Sequence, residues 1–330
     1  MTEKRANVLV TTAGAVGTAG KILGLRQHGH RVVATDCDPR SAGLYLADAA
    51  FTVPGGTSPA FLGRMRRICA SENIQAIVPL VDEELLPVWE LAAEGVEILL
   101  PHAEMVALCL DKLVLMETLA EAKVTVPHTR LATFGAGSLA YPLIVKPRAG
   151  RGGRGIAIAR NRRELRDILA RAGDLGQWII QEYVEGPEFS VSVVAWRDGQ
   201  VQAVVPKEVV LKEGSSRYAI SRRNPAITEI CIETAHALDA DGPFNVQLRL
   251  DSLGAPQVFE INPRFSGSSA LTTAAGIDEI NGLLAQALDT HQPPVTDNWQ
   301  ENVAMIRHPI ETFVPADEFV ARRNALEAAH

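Results

Sequence analysis

The chain has 330 residues, 47% hydrophobic and 22% charged, with a formal net charge of −7. A chain of this make-up is globular, its length predicts two or three domains, and a charge spread without a long basic run disfavours a nucleic-acid partner. No apolar stretch reaches the ~18 residues that cross a bilayer, so no membrane association is expected. The opening MTEKRANVLVTTAG has too short an apolar run for a secretory leader. Four cysteines, Cys37, Cys69, Cys109 and Cys231, stand far apart with no C-x-x-C. That spacing points away from structural disulfides or zinc and toward a reducing cytoplasm.

The N-terminal third alternates strands and helices. NVLVTT is a continuous β-branched run, as expected of a strand buried on both faces. A glycine-rich turn, a helical KILGLRQHG and the strand RVVATD follow, and AIVPLV and VEILLP supply further strands. This order predicts a parallel, doubly wound sheet. The turn after the first strand and Asp36 at the end of the second form part of a dinucleotide-binding pattern. The template asks for glycines at 12, 14 and 17, and the chain has Thr12, Gly14 and Gly17, with Gly20 beyond. Two readings follow. Either the turn binds NAD(P), as in an oxidoreductase, or its glycines only pack a helix closely on the sheet. The acids Asp82, Glu83 and Glu84 after AIVPLV have two readings as well: recognition of a cationic amine, or ordinary first-turn acids of a helix.

Beyond Pro101 a single helix is expected from about 103 to 122, carrying Asp111 and Lys112. The strands LIVK and GIAIA then flank a loop with Gly150, Gly152, Gly153 and Gly155, a hairpin rather than a strand-to-helix turn. The loop lacks G-K-[ST] and so is not a Walker A site, yet its backbone N–H groups suit phosphates. Arg151 and Arg154 add positive charge, and Lys146 precedes the loop on an apolar strand. WIIQEYVEGPEFSVSVVAW reads as two strands about Gly186-Pro187. A strand VQAVVPKEVV, a polar loop LKEGSSRYAIS and a helix over about 224–240 come next. GPFNVQLRLDSLGAPQVFEINPRF then reads as a hairpin that brings Gln247 near Glu260. In VFEINPRFSGSS, Glu260, Asn262 and Arg264 occupy alternate positions. Period two places them on one face, with Phe259 and Ile261 on the other. An ionised carboxylate facing a core is costly unless paired, so something charged is expected against this face.

Lys112 on a helix, Lys146 before a glycine-rich hairpin, Q-E-Y-V-E-G-P-E-F, then N-V-Q and F-E-I-N-P-R resemble, in that order, the ATP-grasp superfamily. The resemblance covers almost the whole chain, because that family also carries a Rossmann-like domain in front. The stretch N-V-Q…E-I-N-P-R-F-S-G-S-S is most similar to the carbamoyl-phosphate synthase large-subunit branch and its small carboxylate–amine ligase relatives. The implied fold class is α/β, α+β in the C-terminal part. It comprises a Rossmann-like domain (1–101), a small lobe with a glycine-rich lid (102–184) and a C-terminal lobe with the metal and phosphate site (185–330).

The resemblance also implies roles. Lys112 and Lys146 match the lysines on ATP phosphates, and Gly150 to Gly155 the lid above them. Glu182, Tyr183 and Val184 lie where the hinge reads adenine, and Glu188 where a carboxylate holds the ribose. Glu260 and Asn262 match the magnesium ligands, with Mn²⁺ as an alternative ion. Gln247 stands beside them where other branches often have a carboxylate. Arg264 matches the residue on the γ-phosphate and acyl phosphate, and Lys207 a further phosphate-facing base. The acceptor is expected between the first domain and Ser266, Gly267 and Ser268, with Glu83 as an amine-recognising candidate. The activity so implied is ATP-dependent joining of a small carboxylate, such as an amino acid, to an amine, with a carboxylase or carbamoyl-phosphate-type reaction as the alternative. A homodimer is compatible with this reading.

Overall fold

In the computed structural model, residues 5–289 and 292–328 are described. The N-terminal domain begins with β1 (Asn7–Val10), α1 (Thr18–Gln27), β2 (Arg31–Asp36) and β3 (Ala49–Thr52). It continues through α2 (Phe61–Glu72), β4 (Ala76–Val78), α3 (Asp82–Trp89) and β5 (Glu97–Ile98). The strands are all parallel, in the order β3-β2-β1-β4-β5. The order reverses between β1 and β4, which places a crevice at their C-terminal ends.

Two helices follow, α4 (Ala103–Leu110) and α5 (Lys112–Glu121). The single helix expected here is broken at Asp111. That residue is extended, and its carboxylate caps α5 by accepting from the N–H groups of Leu113 and Val114. A four-stranded sheet comes next, from β6 (Thr129–Leu131), β7 (Leu143–Pro147), β8 (Ala157–Ala159) and, after α6 (Arg162–Leu169), β9 (Trp178–Glu182). β7 and β8 pair antiparallel, so the glycine loop between them is a hairpin connection.

The largest sheet has the order β14-β13-β10-β11-β12-β15. It is built from β10 (Glu188–Ala195), β11 (Val201–Glu213) and β12 (Ser215–Ser221). After α7 (Pro225–Ala237) it adds β13 (Phe244–Leu250) and β14 (Pro256–Asn262), and after α8 (Ser269–Ala274) and α9 (Glu279–Leu288) it adds β15 (Ala304–Ile306). The expected loop after β11 is instead paired strand, because Gly214 at φ +69° reverses the chain directly from β11 into β12. The last helix, α10 (Ala316–Ala328), returns to the N-terminal domain. There Leu326 is buried, its carbonyl accepts from Thr52 Oγ1 at 2.9 Å, and Phe319 stacks on Tyr45.

The cores show which parts pack together. One apolar cluster joins Val8, Val10 and Ala34 of the N-terminal sheet to Val194, Val205, Phe265 and Trp299 of the large sheet and its loops. A second joins Met105, Leu115 and Leu119 to Val191, Ile227 and Val246. Segment 102–184 therefore divides: α4 and α5 pack on the large sheet. The four-stranded sheet and α6 keep a separate small core of Ala132, Leu143, Val145, Ala159, Leu165 and Ile180. No helix among the described residues is long and apolar enough to cross a membrane.

Candidate active site

β13 and β14 run antiparallel with Gln247 opposite Glu260 and Asn245 opposite Asn262. The register slips between Gln247 and Leu248, where Leu248 faces Val258, so Phe259 is an extra, bulged residue. The bulge changes the expected alternation. Val258 and Ile261 enter the core, whereas Phe259 stays half-buried with its ring 5.6 Å below the ammonium of Lys146. Glu260, Asn262 and Arg264 still share one surface. The Arg264 guanidinium donates to Asn262 Oδ1 at 3.0 Å and pairs with Asp82 at 3.0 Å.

Two cavities meet at Glu260. The larger, about 160 Å³, is lined by Glu188, Gln247, Glu260, Asn262, Arg264 and the loop Ser266 to Ser268, with Gly152 of the hairpin at its edge. The smaller, about 20 Å³, is lined by Lys112, Lys146, Gly150, Arg151, Gly153 and Glu260. Lys146 is buried and donates to the Phe259 carbonyl at 3.1 Å. Burial lowers its pKa to about 8, against a raising contribution from Glu260 and lowering ones from Lys112 and Lys212. Lys112 donates to the Gly150 carbonyl, so the hairpin rests on the lysine. The combined space is well below the roughly 300 Å³ at which ligand pockets begin.

The hairpin is also tied to the N-terminal domain. Arg151 pairs with Glu83 at 2.8 Å, so the acids at the start of α3 hold two arginines, Arg264 through Asp82 and Arg151 through Glu83. Burial alone would raise the pKa of Glu83, yet the hydrogen bond and charge of Arg151 leave it below its usual value. The third acid, Glu84, is buried and pushed up to about 7 by desolvation, and accepts from Thr12 Oγ1 at 2.9 Å.

The glycine turn after β1 is otherwise engaged as well. The Gly14 N–H donates to Asp36 at 2.7 Å, and a Cβ on Gly17 would lie 2.6 Å from the Gly267 carbonyl. The turn lies against the C-terminal loop, a contact that neither reading of its glycines included.

Residues 174–309 match the family described as ATP-grasp in the biosynthetic pathway with Ter operon, and residues 8–98 match the PylC-like N-terminal domain. Residues 174–309 are thus similar to an ATP-grasp domain. Over 153 residues the chain is 32% identical to the carbamoyl phosphate synthase large chain of Pyrococcus furiosus, a stretch that is 42% of this chain and 14% of that one. The chain thus corresponds to a small part of that relative.

Its fold is shared with three solved structures. The biotin carboxylase domain of Hydrogenobacter thermophilus 2-oxoglutarate carboxylase has a TM-score of 0.75 and 20% identity, covering 91% of this chain and 73% of that one. Thermotoga maritima N5-carboxyaminoimidazole ribonucleotide synthetase has a TM-score of 0.68 and 21% identity, covering 89% and 78%. The L-amino acid ligase of Bacillus licheniformis has a TM-score of 0.69 and 19% identity, covering 88% and 78%.

Most of the expected residues line the two cavities that meet at Glu260, and the others are placed as follows. Lys207 lies on the same sheet face, opposite Ser190, but is fully buried, and its ammonium donates to Ser192 at 2.7 Å and Thr272 at 2.9 Å. It does not reach the cavity. Glu182, Tyr183 and Val184 line a separate cavity of about 480 Å³ with Pro127 and Gln257. Glu188 does line the larger cavity, held there by Lys212 and by Arg249 at 2.8 Å. Gly155 packs at the hairpin base, where a Cβ would lie 3.1 Å from Pro147.

Sequence reasoning missed Arg307, just after β15. It lines the larger cavity and donates to the Gly267 carbonyl at 2.8 Å. A three-residue edge strand of exposed or half-exposed residues carries no burial pattern that would single out this arginine.

Proposed function

We propose that the protein is an ATP-dependent ligase that activates a small carboxylate as an acyl phosphate and transfers the acyl group to an amine. The observation that carries this reading is Glu260, which faces the lysine-lined cavity under the hairpin on one side and the arginine- and serine-lined cavity on the other. Lys112 and Lys146 would hold the ATP phosphates, with the glycine hairpin above them. The donor set of one carboxylate and two amides, Glu260, Asn262 and Gln247, suits Mg²⁺, which binds oxygen, keeps waters and shares phosphate ligands. When bound, the metal supplies charge stabilisation to the transferring phosphoryl group.

A carboxylate oxygen attacks the γ-phosphorus, the bond to ADP breaks, and Arg264 holds the resulting acyl phosphate. An amine then attacks the acyl carbon, phosphate leaves with the C–O bond electrons, and the amine loses a proton. The closed hairpin keeps water from the acyl phosphate. Arg307, Ser266 and Ser268 border the acceptor side. A homodimer and a reducing cytoplasm accompany this reading. The four free cysteines support the compartment, and the exposed Ile306, Ile310 and Phe313 give a second copy an apolar surface.

The test is ADP release from Mg·ATP with a panel of amino acids, dipeptides and bicarbonate, with and without an amine, and mass spectrometry of the products. An amide product supports the ligase. A carboxylated or carbamoyl product from bicarbonate supports the carboxylase alternative. Absence of ADP release, together with a thermal shift from NAD(P)H alone, overturns both.

A further inference from the structure

We propose that Lys21 is a positioning residue for the acceptor side, holding the loop Ser266–Ser269 in place from the N-terminal domain. This inference rests on the ligase reading above and names a residue that touches neither cavity. On α1 the buried positions are Thr18, Lys21, Ile22 and Leu25, the i, i+3, i+4, i+7 stripe that a helix turns to its core. An aliphatic side chain at position 21 would avoid the cost of burying an ammonium. Lys21 instead crosses to the other domain and donates to the Ser266 carbonyl at 3.1 Å.

That carbonyl is the organising point of the loop. It also accepts from Ser269 Oγ at 2.6 Å and from the Ser269 N–H at 3.2 Å. The Ser266 hydroxyl in turn accepts from the Ser268 N–H at 3.1 Å and approaches Ser190 at 3.4 Å. The loop also passes close to the start of α1, where a Cβ added to Gly17 would lie 2.6 Å from the Gly267 carbonyl. Beneath it the buried Glu279 meets Ser192 at 3.3 Å, and Ser192 and Thr272 receive Lys207. Two buried lysines thus share one buried glutamate under the loop.

The charge balance agrees with an ammonium held out of water. Burial lowers the pKa of Lys21 to about 8; Glu279 on α9 raises it, and Arg264, Arg307 and Lys207 lower it. Removing Lys21 takes away the donor that ties the Ser266 carbonyl to the N-terminal domain and leaves it only the bonds within its own loop, from Ser269. The loop that presents Ser266, Gly267 and Ser268 to the cavity then loosens, while the nucleotide side, built on β7 and β14, is untouched.

Hydrogen exchange on the ligand-free protein tests this, comparing wild type with Lys21→Met, Lys21→Gln and Lys21→Arg. Loss of a charged hydrogen bond is expected to speed exchange over residues 266–275 on the order of tenfold in the Met and Gln variants. Exchange in β10 is expected to stay unchanged, and Arg, which keeps charge and reach, restores protection. With the amine acceptor found in the panel above, KM for that acceptor rises in Lys21→Met while KM for Mg·ATP stays within about twofold. Wild-type protection of the loop in both uncharged variants overturns the proposal, and so does a loosened loop with an unchanged acceptor KM. If the Met variant does not fold, the Gln and Arg pair decides. Should wild type release no ADP with any acid, the ligase reading fails on its own, and the exchange data still judge the clamp.

Discussion

Replacing Lys146 with methionine should make the protein more stable at neutral pH and unable to hold nucleotide. The ammonium is 2% exposed, and its pKa falls from 10.5 to about 8. A fall of that size corresponds to about 3 kcal/mol of unfavourable free energy for the charged form. Methionine fills similar space without charge. It also gives up the hydrogen bond to the Phe259 carbonyl and the contact with the Phe259 ring, together worth about 1–2 kcal/mol. The expected net gain at pH 7 is therefore about 1–2 kcal/mol.

The sign with pH follows from proton counting. Between pH 8 and 10.5 the unfolded chain holds more protons at this lysine than the folded chain, so wild-type stability rises with pH across that window. Below pH 8 both states are protonated and the full penalty is present. About two-thirds of it should be recovered by pH 9.5, where the variant loses its advantage. Urea midpoints of both proteins from pH 7 to 9.5 measure the difference, and titrations common to both, such as those of Lys21 and Lys207, cancel. The same samples should show a thermal shift with Mg·ADP in wild type and none in the variant. A variant less stable than wild type at pH 7, by an amount independent of pH, would refute the reasoning and make Lys146 a structural strut.

Three further outcomes are expected. Glu260→Gln should keep its fold and lose turnover by about two to three orders of magnitude, because metal charge stabilisation contributes several kcal/mol; Asn262→Ala should show a smaller loss. Normal ADP release from folded Glu260→Gln would sink the mechanism. Gly152 and Gly153 have φ of +67° and +71°, so the double replacement by valine should strain the hairpin. Turnover should fall at least about tenfold while the melting temperature changes little; unchanged turnover would reduce the hairpin to a surface turn. Glu83→Gln removes the tether on Arg151, so limited proteolysis over 149–155 should speed up without nucleotide. An unchanged cleavage rate would mean that the ion pair does not hold the hairpin down.

Much of the fold was legible because its strands keep regular apolar patterns. RVVATD became β2 over the same residues, and the pairing of Gln247 with Glu260 followed from one turn and period two. What escaped the sequence depends on single-residue irregularities and on distant contacts. The bulge at Phe259 shifts the strand's inward parity by one, and nothing local announces it. Asp111 breaks a continuous apolar pattern because its carboxylate caps the following helix and also meets Arg148. Lys207 alternates correctly onto the site's face, yet α8 covers that part of the sheet and turns its ammonium to Ser192 and Thr272. The partners of Asp82 and Glu83 lie 182 and 68 residues away, beyond any local pattern.

The return of α10 to β3 has a mechanical consequence. Strand β1 and helix α10 belong to one body, whose apolar interior runs from the N-terminal sheet through Val194 and Phe265 to Leu326. The lobe of β6 to β9 has its own interior and meets that body through polar contacts such as those of Arg151 and Lys146. The chain enters and leaves this lobe at two places. One is near Thr125, whose carbonyl accepts from Val258, and the other is Gly186-Pro187, where φ of +144° and a carbonyl 2.0 Å from any added Cβ demand glycine. Glu182 to Val184 lie just before the second place, and the hairpin tip lies between β7 and β8. A turn of the lobe about these two places would therefore move the hairpin more than the segment beside Gly186, and would make seating and capping of a nucleotide separable events.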